Sequence, residues 1–98
     1  MLFVVLFEDD PAFGLDVRRQ HLPEHLSFLE RNAKQIKAAG PLKGLTGDPQ
    51  GGLWIVEAGS RGAVDALVKE APFWPTGLRR SVRILLWFQV FSDGKRLI

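Results

Sequence analysis

The only two histidines of the chain, His21 and His25, lie four residues apart. An imidazole titrates near neutral pH and can therefore carry a proton or bind a metal ion. If the segment is helical, the four-residue spacing places both rings on one side of it. A metal site needs further ligands, and Glu24 is merely a neighbour in sequence, so we expect no metal site. An imidazole in this segment could then exchange a proton with a ligand or have a purely structural role.

Composition excludes several other chemistries. The chain has no cysteine, which excludes disulfides, thiolate metal sites and a cysteine nucleophile. The stretch GDPQGG is not a phosphate-binding loop, because no Lys-Ser or Lys-Thr follows it and a strand comes next. Thirteen basic and eleven acidic residues are interleaved, without the dense basic stripe of a nucleic-acid-binding protein. We therefore expect no nucleic-acid partner.

Length and the amino-terminal run bear on domain organisation and location. Ninety-eight residues make one domain with a modest core, which we assign to residues 1–98. The first apolar run, MLFVVLF, ends at Glu8 and is too short for a signal peptide or a membrane span. The expectation is a cytoplasmic protein without a membrane partner.

Helical periodicity predicts that the histidines lie on a helix between Asp16 and Ala39, stopped by Gly40 and Pro41. Its predicted core stripe has three- and four-residue spacing: Leu22, Leu26, Leu29, Ala33 and Ile36. His25 would lie about 60° from the centre of this stripe and border the core, with His21 further out in solvent. Such a position suits a pocket-lining histidine or a structural one bonded to a backbone carbonyl.

The remaining segments complete a β-α-β-β-α-β order. Predicted strands cover residues 2–8, 42–46, 53–58 and 81–91, and the second helix, 61–70, is capped by Ser60. This order predicts an α+β, ferredoxin-like fold, in which a four-stranded antiparallel sheet carries both helices on one face.

The sheet is apolar on both faces. Two sets of side chains alternate along the first strand and face opposite sides: Leu2, Val4 and Leu6, and Phe3, Val5 and Phe7. Because the helices cover one face only, we expect a homodimer formed through the helix-free face. The alternative is a monomer whose face is exposed or covered by residues 92–98.

Two stretches, HLSFLERNAKQIKAAGPL and APFWPTGL, resemble the YCII-related (YciI-like) family in order and spacing. The resemblance implies a dimeric α+β barrel with a small-molecule pocket, and an acid/base role for the histidine before leucine, here His25. The family's aspartate before Pro-Phe is Ala71 in this chain, ahead of Pro72 and Phe73. Glu70 is therefore the predicted partner of His25. The other carboxylates that could approach it are Asp9, Asp10 and Glu57.

The same resemblance implies a pocket wall. Gly40 and Pro41 would bring the backbone close to the pocket, and Trp54, Phe73 and Trp74 would line it for an aromatic or lactone-like molecule. The alternative is that these aromatic residues fill the core or the dimer interface.

The predicted function is a small-molecule enzyme of proton-transfer type, which catalyses isomerisation or elimination with His25 as acid or base. No cofactor is implied. The alternative is a non-catalytic ligand-binding or assembly module that has lost the family's aspartate.

Overall fold

A computed structural model describes the backbone of residues 1–98 and the side chains of residues 1–13 and 16–98. The elements are β1 (Leu2–Asp9), α1 (Gly14–Arg31), β2 (Ile36–Lys43), β3 (Pro49–Glu57), α2 (Arg61–Glu70), a 3₁₀ turn (Trp74–Thr76), β4 (Arg79–Leu86), β5 (Phe91–Ser92) and β6 (Lys95–Arg96). The first four strands in this series form an antiparallel sheet in the order β2-β3-β1-β4. The ferredoxin-like α+β prediction is confirmed.

One face of the sheet carries the core. Phe3, Val5 and Phe7 of β1 are buried in one cluster with Trp54 and Val56 of β3. Both helices contribute to this cluster, with Phe28 from α1 and Val64, Leu67 and Val68 from α2. The Ser60 hydroxyl accepts a hydrogen bond from the Ala63 N–H at 3.2 Å, which confirms the predicted cap of α2.

The opposite face of the sheet carries no helix and is apolar at its centre, apart from Arg83, which pairs with Leu6. Leu2, Val4 and Leu6 lie on it, half-buried, together with Leu53, which pairs with Leu6. Leu85 pairs with Val4 and is 40% exposed. The alternation in β1 therefore leaves apolar side chains on both faces, as predicted.

The predicted end of the first helix is wrong. The helix ends at Arg31 rather than at Ala39. At this end the Asn32 side chain donates a hydrogen bond to the Phe28 carbonyl at 2.8 Å. Residues Ile36–Lys43 pair with β3, so Gly40 and Pro41 belong to a strand and do not stop a helix. The chain tolerates Pro41 there because β2 is an edge strand.

The other strand boundaries also differ from the prediction. The hairpin turn closes between Gly44 and Asp48, and β3 begins at Pro49, before the expected residue 53. The last long strand ends at Leu86 instead of Phe91. Residues 91–96 form a separate small hairpin.

The predicted core stripe of the first helix is also wrong. Leu22 and Leu26 are 46% and 49% exposed, whereas His25 and Phe28 are buried. The buried face follows positions 18, 21, 25 and 28, which have the same helical spacing as the leucines. This face packs against the sheet, where Phe28 joins the core cluster and Arg18 bonds to Asp9.

Candidate active site

A cavity of about 270 Å³ lies between α1 and the strands β2 and β3. Five of the predicted site residues line it: His25, Gly40, Pro41, Trp54 and Phe73. Trp74 instead borders a narrow void behind it, beside His25 and Phe73. The exposed leucines of α1, Leu22 and Leu26, form part of the cavity wall.

His25 forms an aromatic wall of this cavity and is 8% exposed. Its ring lies 4.6 Å from the ring of Phe73, centroid to centroid, and stacks at 28° against Trp54 at 6.4 Å. Its Nδ1 atom is buried and has no hydrogen-bond partner. A buried polar atom without a partner is uncommon in proteins and is often found at functional sites.

The surroundings of His25 favour its neutral form. The pKa of His25 is lowered to about 4, mainly by burial and also by the positive charges of Arg79 and Arg18. At neutral pH the imidazole is therefore uncharged and can accept a proton.

Glu70 is not brought to His25. It is exposed at the last residue of α2, and within the described side chains no hydrogen bond joins it to the imidazole. Ala71, which stands where the family has aspartate, is 4% exposed and belongs to the core cluster. The predicted pairing of Glu70 with His25 has no geometric support, and the role of each residue stays a prediction.

A carboxylate lies close to the cavity at the end of β1. Asp9 Oδ1 accepts a hydrogen bond from Arg79 Nη1 at 2.9 Å, and Asp9 Oδ2 accepts one from Arg18 Nη2. The same Arg18 nitrogen donates to the Gly51 carbonyl at 2.9 Å. Both arginines line the cavity. Burial lowers the pKa of Arg79, whereas the adjacent Asp9 carboxylate raises it.

The two guanidinium groups also lie against aromatic rings. The Arg79 guanidinium carbon is 4.4 Å from the centroid of Phe7 and 5.2 Å from that of Phe73, and the Arg18 carbon is 5.9 Å from Phe73. At these distances a cation–π interaction attracts each guanidinium group to the face of the ring and helps to hold it in place. Phe73 thus contacts His25 and both arginines.

Glycines in β3 make room for this cluster. A Cβ atom at Gly52 would lie 3.1 Å from Arg79 Nη1, and one at Gly51 would clash with the Phe7 carbonyl oxygen. The two glycines lie in β3 and permit close approach of β1 and of the Arg79 side chain.

Sequence reasoning missed Arg18 and Arg79, and it named Asp9 only as one of several carboxylates that could approach His25. Arg18 lies three and seven residues before the histidines, so helical spacing places it on their face. Asp9 and Arg79 are paired across β1 and β4, which the order of strands in the sheet reveals and the sequence does not.

His21 differs from its expected position in solvent. It is half-buried, with its ring 6.4 Å from that of Phe73, and its Nδ1 atom lies 3.8 Å from Glu24 Oε2.

In the described part of the chain, no group of three or more histidine, aspartate or glutamate side chains could hold a metal ion. No helix in that part is long and apolar enough to cross a membrane.

Comparison with known proteins places these features in context. The family model described as "YCII-related domain" matches residues 1–88. A solved structure of 5-chloro-2-hydroxyhydroquinone dehydrochlorinase from Burkholderia phenoliruptrix AC1100, in complex with 2,5-dihydroxybenzoquinone, is 31% identical, with a TM-score of 0.79. The match covers 90% of this chain and 94% of that chain.

A second solved structure, described as an antibiotic biosynthesis monooxygenase, is similar in fold alone. It is 19% identical with a TM-score of 0.51, and the match covers 92% of this chain and 99% of that chain. No curated protein gives a significant sequence match.

Proposed function

The chain belongs to the family of YCII-related domains, and from that premise we propose that it is an enzyme that moves protons on a small hydroxylated ring, with His25 as the acid/base. The observation that carries the proposal is His25 itself. This imidazole is neutral, 8% exposed and unpaired at Nδ1, and it forms the wall of a cavity. A general base must be unprotonated at working pH and within reach of its substrate.

The shape of the cavity supports a ring-shaped substrate. Its volume of about 270 Å³ is at the small end of ligand pockets, which suits one substituted ring. Trp54 and Phe73 offer flat apolar surfaces against which such a ring can stack. The dehydrochlorinase to which this chain is similar acts, by its name, on a chlorinated hydroxyhydroquinone.

Elimination is the reaction that we favour over simple isomerisation. His25 takes a proton from a ring hydroxyl and returns it to the ring carbon that bears the leaving group, which gives a keto form. Loss of a second hydroxyl proton to His25 then expels chloride with its bonding electron pair. The net change is loss of HCl, and no oxidant is required. Isomerisation corresponds to the first half of this sequence.

The lowered pKa of His25 makes its neutral form a weak base and its protonated form a strong acid, so it favours return of the proton. An imidazolium whose pKa is about 4 is a strong enough acid to protonate a ring carbon readily. The charged groups that act on His25 are Arg18 and Arg79 rather than Glu70, so we propose this exchange without a carboxylate partner.

We further propose a homodimer formed through the helix-free sheet face. Leu42 and Leu85 on this face are 38% and 40% exposed in the single chain. Residues 92–98 do not remove the apolar excess, since Leu97 and Ile98 are themselves 53% and 86% exposed. An isologous contact between two such faces would bury both. We also propose a cytoplasmic location, on the sequence reasoning alone.

The second candidate is a non-catalytic binding module with the same cavity. It is favoured by one observation: within the described side chains no carboxylate bonds to His25 to fix its tautomer, as many catalytic histidines require. Such a module would bind the ring without chemical change.

The test is chloride release from 5-chloro-2-hydroxyhydroquinone by the full chain and by His25→Gln. We expect release by the wild-type chain and a loss of roughly a hundredfold or more in the variant. His21→Gln is the matched control, because the other histidine does not line the cavity, and it should retain activity. Binding of 2,5-dihydroxybenzoquinone in a thermal-shift assay without chloride release would favour the binding module. Release that is unchanged in His25→Gln would overturn the role of His25.

A further inference from the structure

We propose that Arg18 and Arg79 form an anion subsite for the ring ligand and that Asp9 is the positioning residue that holds both guanidinium groups at it. The inference rests on the proposed function and narrows its substrate class. The ligand would be a small planar ring that carries an ionised oxygen, as a carboxylate, phenolate or enolate.

The first support is the charge balance of the cluster. The side chains of Arg79, Asp9 and Arg18 are 5%, 6% and 19% exposed, and two guanidinium groups share one carboxylate. One positive charge is therefore left without a partner inside the cluster. Poorly hydrated charge is costly unless it is paired, so a bound anion would complete the set.

The second support is the number of free donors. Arg18 uses one nitrogen, Nη2, for both of its hydrogen bonds, to Asp9 and to the Gly51 carbonyl. Arg79 uses Nη1 for its bond to Asp9. Within the side chains that the structure describes, the two guanidinium groups make no other hydrogen bonds. Each carries five N–H donors, so several remain for a ligand in the cavity that both arginines line.

The subsite lies beside the proposed proton acceptor. Phe73 contacts both guanidinium groups and the His25 ring, and all four side chains line the same cavity. An anionic oxygen held by the arginines would place the rest of a small ring next to the imidazole. The anion would also offset the positive charges that act on His25, which favours the protonated imidazole during reaction.

Asp9 is placed to orient the arginines rather than to react. Each of its two oxygens accepts from a different guanidinium group, so both oxygens are occupied. Asp9 in β1 and Arg79 in β4 are cross-strand partners, and Arg18 comes from α1. The carboxylate therefore connects the helix to two strands at the cavity.

The experiment compares benzoate with benzamide, two planar rings of nearly the same shape that differ in charge, by calorimetric titration of the full chain at pH 7. We expect benzoate to bind tenfold or more tightly, the effect of one charge-assisted hydrogen bond. In Arg18→Gln and Arg79→Gln the preference should fall at least fivefold, with circular dichroism used to confirm folding. The control Arg61→Gln removes the same charge from an exposed position on α2 and should keep the preference.

Asp9→Asn separates positioning from simple charge. The replacement adds one positive charge to the cluster, so a purely electrostatic effect would strengthen benzoate binding. The positioning role predicts the opposite, a benzoate preference at least fivefold smaller. A larger preference in this variant would overturn the role of Asp9.

Failure of the anion subsite can be distinguished from failure of the proposed function. Equal binding of benzoate and benzamide by the wild-type chain would overturn the anion subsite. So would the finding that the wild-type chain binds neither compound. Chloride release that depends on His25 would still support the proposed function in both cases. Retention of the full preference in Arg18→Gln and Arg79→Gln would likewise overturn the inference.

Discussion

The imidazole of His25 packs against the ring of Phe73, with 4.6 Å between the ring centroids and 45° between the ring planes. One residue comes from α1 and the other from the segment after α2, so this pair joins the first helix to that segment. The contact removes the imidazole from water, and burial is the main cause of its lowered pKa. The first consequence concerns stability.

The pH dependence of stability should carry the signature of His25. Its ordinary pKa is 6.5 and its pKa in the fold is about 4, so the unfolded chain takes up the proton first as the pH falls. The contribution of the neutral imidazole is fully present above pH 6.5 and is lost as the pH falls through 4. It amounts to roughly 3 kcal/mol at about 1.4 kcal/mol per pH unit.

Urea unfolding at fixed protein concentration, repeated between pH 4 and 7, measures this contribution of His25 to the free energy of unfolding. His25→Gln should reduce the slope of unfolding free energy against pH by about 1.4 kcal/mol per pH unit within this window. If the wild-type chain and the variant gave the same slope of unfolding free energy against pH, His25 would have the same pKa in the folded and the unfolded chain.

Gly52 should matter for ligand binding through Arg79. In Gly52→Ala the new methyl group would lie 3.1 Å from Arg79 Nη1, so the guanidinium must shift. We expect the benzoate preference to fall about threefold or more, since the anion contacts depend on its position. Gly59→Ala is the matched control, because a Cβ atom there meets nothing within 4 Å. An unchanged preference in Gly52→Ala would show that Arg79 has room to move.

The sequence was informative where local chemistry decides the structure. Ser60 predicted the start of α2 because its side chain caps the helix, and the structure confirms the cap. The end of α1 could not be predicted in this way. The stripe through Ile36 continues at helical spacing, and only pairing with β3 makes residues 36–43 a strand.

The candidate site shows the same division. His25 was expected at a pocket from the resemblance to a family, and the structure places it there. The cluster of Asp9, Arg18 and Arg79 depends on which strands are neighbours and on how α1 is rotated. Both are properties of the assembled fold, so residue spacing along the chain did not reveal the arginines.

The helix-free sheet face should control oligomeric state. Leu53→Asp would place a charge at the centre of the proposed interface, where burial without a partner is costly. We expect a dimer for the wild-type chain and a monomer for this variant in size-exclusion chromatography with light scattering. Leu45→Asp makes the same change at a fully exposed turn residue and should stay dimeric. A monomeric wild-type chain at micromolar concentration would contradict the proposed interface.

The cap of α2 should contribute to stability independently of the site. Removing the hydroxyl in Ser60→Ala leaves the Ala63 N–H without its partner. The free energy of unfolding should fall by about 1 kcal/mol, measured by urea denaturation. Ser27→Ala on the exposed side of α1 should change it far less, and equal losses in the two variants would contradict the capping role.

The central claim is that His25 is a neutral base at working pH, and nuclear magnetic resonance titration tests it most directly. The chain has only two histidines, so the ring signal that remains in His21→Gln belongs to His25. We predict that this ring titrates with a pKa of about 4 in the free protein, and that saturating benzoate raises it. A pKa near the ordinary 6.5 that does not respond to benzoate would contradict the account.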